Sequence, residues 1–467
     1  MVTKIFSLDK VSNSNLFFLL EKKTDLNNLS FLKLTKAIKD DIFEKIEKKK
    51  NWLFEYFLWK NDFKKLFIYV FSDQKWKNLD YLLWKEIWKL PNNFTILTNN
   101  SQNVETLLNH SILWRYKFEE YKKIKSQDKV FFLVDKQTEK IFDDRLWTIE
   151  NIIFARNLWN TPSNELYPEI FAWLIKKTKF KNTKITVFDY EKIKKLWLWL
   201  LEAVWKWSSK KPYMVIFERI IDKKFPTIWL VWKGVTFDTG WIQVKPGDFM
   251  YEMKWDMCWA GSVFSIMKEL DQKDLKVNIV ACVVLAENHI SWDSYKPSDI
   301  LKSYSWQTVD VIHTDAEWRL VLADWISYIS KNYKLDKIIS IATLTWACMI
   351  ALGFRYAWIM WNDEKLIQKF LDYSEKNIEK YNKLPFDDYF IDQTKSEIAD
   401  LQNLSTWVKA WSTMWAAFLV NFCLNSEKYT HLDIAWTALN SYEPYAYVNK
   451  WMTGFWVDSV SFILKNL

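Results

Sequence analysis

A chain of 467 residues has room for two domains; its net charge of +8 rests on lysines scattered throughout, with short runs such as Lys48-Lys49-Lys50, which reads better as a solvated surface than as a nucleic-acid groove. Its cysteines, Cys258, Cys282, Cys348 and Cys423, stand far apart with no CxxC pair, which argues against a zinc knuckle or a disulfide framework and fits a reducing compartment. Thirty-one tryptophans accompany only six glycines, where roughly 33 glycines would be ordinary at this length.

The first residues, Met1-Val2-Thr3-Lys4-Ile5-Phe6-Ser7, lack an apolar h-region, so no secretory signal is expected and a cytoplasmic location is. From 1 to about 145, apolar runs such as Leu66–Phe71 and Val130–Val134 alternate with charged helical stretches, predicting a smaller N-terminal α/β domain. A larger domain, 146–467, opens on a helix from about Trp147 to Trp159 that stops at the turn Asn160-Thr161-Pro162-Ser163-Asn164. The greasy stretch Leu196–Trp205 is too short to span a bilayer and contains Glu202. Buried strands are expected at Ile185–Phe188, Tyr213–Phe217, Ile228–Val231, Val277–Val283 and Ile338–Ile341, and helices at Trp259–Leu270, Leu320–Tyr333 and Trp411–Leu424. Such alternation predicts an α/β fold with a mixed, mostly parallel sheet covered by helices, and ligands gather at the carboxyl ends of such strands.

Polar residues cluster just after those strands. Trp232-Lys233-Gly234-Val235-Thr236-Phe237-Asp238-Thr239-Gly240 is expected to follow the strand at 228–231. Lys245 and Met253-Lys254-Trp255-Asp256-Met257 come next, and His313-Thr314-Asp315-Ala316-Glu317-Trp318-Arg319-Leu320 immediately precedes a helix. Asp238, Asp256, Asp315 and Glu317 could thus converge at one edge of the sheet. Crowded carboxylates repel unless protonated or bound to cations. Such an oxygen-rich site suits Mg or Mn, and Zn also accepts carboxylates. Alone, Asp238 or Asp315 would read better as a helix cap or turn residue, Lys245 as a surface lysine and Arg319 as an ion-pair partner.

Taken together, these blocks resemble the M17 leucyl aminopeptidase family. That family carries Gly-Lys-Gly-x-Thr-Phe-Asp-Ser/Thr-Gly-Gly, here Trp232–Trp241, and Asn-Thr-Asp-Ala-Glu-Gly-Arg-Leu, here His313–Leu320. It also carries Met-Lys-x-Asp-Met, Ala-Thr-Leu-Thr-Gly-Ala and His-Leu-Asp-Ile-Ala-Gly-Thr-Ala, here Met253–Met257, Ala342–Ala347 and His431–Ala438. The resemblance runs in order from about Ala155 to the C-terminus. In every block except the methionine one, a family glycine stands here as tryptophan. UGA is one base from the glycine codon GGA and is assigned to glycine in some bacterial lineages, so the tryptophan excess reads as glycine codons translated in the wrong code. Tryptophan cannot take over glycine's positive φ cheaply. Overpacking costs about 1–3 kcal/mol per site against a total stability of about 5–15 kcal/mol. His313, where the family has asparagine, is a separate departure.

The resemblance implies a metal-dependent aminopeptidase that hydrolyses a leucine-like N-terminal residue from peptides. Lys233, Asp238, Asp256, Asp315 and Glu317 fall on the family's ligands to two divalent cations, Mn or Zn with Mg a further option; Asp238 and Glu317 would bridge them. Lys233 would then need a neutral amine, which nearby dications favour. Lys245 matches the lysine that stabilises the oxyanion, and Arg319 the arginine that holds bicarbonate, the family's proton shuttle. Met253, Thr343 and Leu344 match substrate-pocket positions, and as apolar and hydroxyl residues they read equally well as plain core. The family assembles as a homo-hexamer. A DNA-binding or regulatory role on the same fold is the alternative.

Overall fold

The computed structural model describes residues 2–5, 15–20, 34–47, 52–57, 65–70, 93–97, 101–126, 129–205, 208–251, 253–289, 294–334, 336–342, 350–405, 407–423, 429–433, 437–440 and 444–467. The chain divides into two compact units, Met1–Glu150 with Ser441–Lys450, and Asn151–Asn440 with Trp451–Leu467.

In the first unit, β1 (Val2–Ile5), β2 (Asn15–Leu20), β3 (Trp52–Phe57), β4 (Lys65–Val70), β5 (Asn93–Leu97) and β6 (Lys129–Leu133) form one sheet in the order β1-β6-β5-β2-β4-β3. All its pairings are parallel except β3 with β4. Of the apolar runs expected at 66–71 and 130–134, residues 66–70 lie on β4 and 130–133 on β6, while Phe71 lies outside the described residues. The helix expected from Trp147 begins earlier, at Glu139, and ends at Asn160. Its start is set by Asp135, whose Oδ1 accepts from the amides of Gln137 and Thr138 at 2.9 and 2.8 Å and so organises the entering turn.

In the second unit the main sheet is built from β7 (Lys184–Phe188), β8 (Tyr213–Arg219), β9 (Thr227–Asp238), β10 (Asn278–Asn288), β13 (Lys337–Ala342), β14 (Tyr356–Trp361), β15 (Lys380–Lys383) and β17 (Tyr429–Asp433). A small sheet holds β11 (Ile300–Lys302), β12 (Thr308–Asp310) and β16 (Leu401–Gln402). The main order is β15-β14-β17-β13-β9-β10-β8-β7, with the central run β17-β13-β9-β10 parallel and antiparallel pairings at β14/β17, β10/β8 and β8/β7. This is the mixed, parallel-centred α/β architecture that the alternation of elements predicts.

Successive residues of β9 point to opposite faces. Trp229, Val231 and Val235 join one core cluster with Trp318, Val321, Leu322 and Trp325 of helix Glu317–Asn332. Gly234, one residue out of phase, lies under helix Cys258–Leu270, where a Cβ would stand 3.2 Å from that of Ala260. The sheet is therefore buried on both faces at β9, which explains its near-continuous apolar sequence. This strand also corrects an expectation. It does not end at Val231 but continues to Asp238, because β10 supplies parallel partners as far as Val235 and, past a bulge, again at Asp238.

Among the described residues, seven non-glycine residues have positive φ, and Trp197, Trp241, Trp306, Trp361 and Trp456 are five of them. Trp241 and Trp456 are also fully buried, at φ 60° and 77°, and their indole N–H groups have no acceptor. The left-handed region costs a residue with a Cβ roughly 1–2 kcal/mol, and an unpaired buried donor costs about 1–3 kcal/mol more. Trp159, Trp229, Trp232, Trp318 and Trp325 are buried with orphaned indole nitrogens as well.

Candidate metal centre

The carboxyl end of β9 delivers the first two groups. Lys233 is buried, with its Nζ 2.6 Å from Asp256 Oδ2, 3.9 Å from Glu317 Oε1 and 4.8 Å from the centroid of the Trp318 ring. Asp238 is buried at the end of the strand. The next residues turn sharply at Gly240, φ 81°, where a Cβ would meet Gln243 O at 2.7 Å and Asp315 Oδ1 at 2.9 Å. Only glycine fits there. The loop closes when the Lys245 amide donates to Thr239 O at 3.0 Å. This places Lys245 Nζ 3.0 Å from Asp238 Oδ2 and in a close ion pair with Asp315 Oδ1.

Asp256 comes from a 3-10 turn, Met253–Met257, that runs directly into helix Cys258–Leu270. Met253 lies partly buried on the same turn. The remaining acids come from a second 3-10 turn, Thr314–Ala316, and from the first residue of helix Glu317–Asn332. His313 caps this turn: its Nδ1 accepts from the Asp315 amide at 3.1 Å. Burial, then Lys245 and Arg319, lower the pKa of this imidazole.

Asp238, Asp315 and Glu317 each bring a carboxylate oxygen within 4.8 Å of one another, and Lys233 ties Asp256 to the same group. The electrostatics follow from that crowding. Burial, then Asp238, push the carboxyl of Glu317 well above its ordinary range. Burial raises Asp315 as well, with Asp238 adding to it. Asp256 is raised by burial, and Lys233 offsets part of the effect. Asp238 alone is lowered: burial opposes its charge, but Lys245 and Lys233 outweigh it. Lys245 is the counterpart, raised by Asp238, Asp315 and Glu317 against the pull of burial, so it stays charged. Glu317 Oε2 is buried and without a hydrogen-bond partner. Four converging carboxylates, one with an orphaned oxygen, face only two ammonium groups. This donor set fits hard divalent cations.

Arg319 is buried on the same helix, with its Cζ 3.8 Å above the Trp415 ring and its Nε unpaired. Burial lowers its pKa to about 9, while Glu317 pulls it upward. Thr343 and Leu344 lie outside the described residues.

Several residues that support the site carry no motif signal of their own. Gln243 Oε1 accepts from the Thr314 amide at 2.7 Å, and Tyr295 OH donates to Thr314 O at 2.8 Å. Asn403 Oδ1 accepts from the amides of Ile312 and His313 at 2.7 and 3.2 Å, while its Nδ2 donates to His313 O. Asn288 Nδ2 donates to Asp238 Oδ1 at 2.5 Å. The strand expected at Val277–Val283 runs on to Asn288, so nothing in the sequence marks this residue.

The model of the cytosol aminopeptidase family, catalytic domain, matches residues 153–461. A probable cytosol aminopeptidase of Cenarchaeum symbiosum is 39% identical over 67% of this chain and 65% of its own length. Another, from Wigglesworthia glossinidia brevipalpis, is 35% identical over 81% of this chain and 77% of its own. Among solved structures, a bottromycin maturation enzyme in complex with Mn superposes with a TM-score of 0.83 at 23% identity, covering 97% of this chain and 99% of that one. The apo leucyl aminopeptidase of Trypanosoma cruzi superposes with a TM-score of 0.80 at 22% identity, covering 100% and 97%. At such identities these two structures speak for the fold.

Proposed function

This chain belongs to the cytosol aminopeptidase family and is a peptide hydrolase, and we propose that it removes leucine-like residues from peptide N-termini at a site for two divalent cations. The observation that carries this reading is the meeting of Asp238, Asp315 and Glu317 within 4.8 Å. Lys233, Asp238, Asp256, Asp315 and Glu317 would hold the cations, Mn or Zn with Mg a further option. When bound, such cations polarise a carbonyl and activate water at neutral pH.

The chain's own groups do the rest. Lys245, kept charged by its acidic neighbours, donates to the oxyanion that develops on the peptide carbonyl. Arg319, buried with an unpaired Nε, is a seat for a small anion such as bicarbonate, which would move the proton. Met253, Thr343 and Leu344 would line the pocket for the N-terminal side chain. We take 146–467 as the catalytic domain and 1–145 as a separate α/β domain, in a cytoplasmic homo-hexamer.

The same reading assigns glycine to most of the tryptophan positions. Five of seven positive-φ non-glycine residues being tryptophan supports it, and so do the buried indoles without acceptors. UGA codons at 197, 241, 306, 361 and 456 are the expected result; UGG there would overturn the assignment. For the activity, glycine-bearing protein is assayed on leucine p-nitroanilide with added Mn or Zn. Metal-dependent hydrolysis abolished by Asp256→Ala is expected. No metal-dependent hydrolysis, or activity indifferent to that change, would defeat the proposal.

A further inference from the structure

The end of β9 is held by a neighbour whose place no motif spacing announces. Along the β9/β10 ladder Ala286 pairs with Val235, but the next partners are Asn288 and Asp238, so β9 carries one more residue than β10 between these pairs. Such a bulge re-aims the side chain that follows it. Here it brings Asp238 level with Asn288. The Asn288 carbonyl then accepts from both the amide and the hydroxyl of Thr239, at 3.0 and 3.1 Å, fixing the turn that leads to Gly240.

Its side chain acts on the carboxylate itself. Asp238 Oδ1 accepts from Asn288 Nδ2 at 2.5 Å and from the Gly240 amide at 2.9 Å. Oδ2 takes neither of these bonds and lies 3.0 Å from Lys245 Nζ, on the side of the acidic cluster. The amide orientation is unambiguous, because the flipped carboxamide would set an oxygen against Oδ1. Asn288 is fully buried and its own Oδ1 has no donor. A fold that only needed to fill this space would do so more cheaply with an apolar residue.

We propose that Asn288 is a positioning residue for the cation site: with the Gly240 amide it pins Asp238 by Oδ1 and leaves Oδ2 as the single oxygen turned toward the cations. The inference rests on the reading of the site given under Proposed function. It sharpens that reading, because one oxygen of Asp238 is held by the fold and the other would be left to hold a cation.

The test uses glycine-bearing protein stripped with chelator, and Asn288→Leu, which keeps the branched shape and removes the donor, beside Asn288→Ala. Calorimetric titration with Mn2+ alone should show the dissociation constant rising about 10–100-fold in both variants. The metal-free variants should remain folded, with an unfolding midpoint lowered by the lost buried hydrogen bond. On leucine p-nitroanilide at saturating Mn2+, kcat should fall with KM little changed. Mn2+ affinity within twofold of the parent in a folded variant would overturn the assignment. Failure of both variants to fold would overturn it too, by making Asn288 a residue of the fold. Failure of the parent to bind Mn2+ would instead strike the proposed function, so the two failures are distinguishable.

Discussion

Glu317, Asp324 and Glu379 are all buried carboxylates of the second unit, yet they do opposite things. Asp324 accepts from the amides of Tyr304 and Leu201 at 2.6 and 3.1 Å, stitching helix Glu317–Asn332 to two neighbouring segments. Glu379 accepts from the amides of Trp456 and Ser459 at 3.0 and 3.2 Å, capping helix Val457–Lys465. Burial raises Asp324 to about 7, and burial with Asp458 raises Glu379 to about 8. Glu317 is raised for the same first reason, burial, but faces other carboxylates and lysines, and one of its oxygens has no partner. Burial and a raised pKa therefore do not mark a functional acid. What separates the two regions is who supplies the donors: backbone amides in one, and in the other no donor for Glu317 Oε2, which leaves an oxygen suited to a cation.

The sharpest way to break this contrast is to remove one acid from each region. Glu317→Gln is expected to abolish Mn- or Zn-dependent hydrolysis, while thermal unfolding of the metal-free protein shows no loss of stability, since a like-charge neighbour has gone. A destabilised but active variant would put Glu317 with the structural acids. Lys245→Met tests the cationic side. Steady-state kinetics should show kcat lower by about 10²–10³-fold, the usual effect of losing an oxyanion donor, with the fold intact.

In the other region, Asp324→Ala leaves two backbone amides without their acceptor. It should cost about 1–3 kcal/mol in denaturant unfolding, with activity per folded molecule unchanged. Glu379→Gln should show its effect only through pH. A carboxyl raised from 4.5 to about 8 in the folded state contributes its stability at low pH. That contribution is lost as pH rises through the interval between those values. The parent should therefore lose up to about 1.4 kcal/mol per pH unit across it relative to Glu379→Gln. Parallel stability curves for the two proteins would remove Glu379 from the account.

The two regions also differed in how far the sequence exposed them. Asp238, Asp256, Asp315 and Glu317 could be read as one site because each lies in a short motif at the end of a strand or the start of a helix. There, chemistry and local geometry coincide. Asn288, Gln243, Tyr295 and Asn403 could not, since what they do depends on a bulge, a loop closure and a neighbouring strand, none of which leaves a spacing in the chain. Likewise the apolar run of β9 could be placed but not its end, because its extension to Asp238 is set by the partner β10. The tryptophan excess stood out by composition, but only backbone φ shows that, among the described residues, Trp197, Trp241, Trp306, Trp361 and Trp456 sit in the left-handed region that favours glycine.

The most direct measurement is the number of divalent cations bound per chain, obtained by elemental analysis after Mn2+ loading and desalting of glycine-bearing protein. Two per chain in the parent, falling in Glu317→Gln and unchanged in Asp324→Ala, is the predicted result. No bound Mn2+ in the parent, or equal loss in both variants, would contradict it.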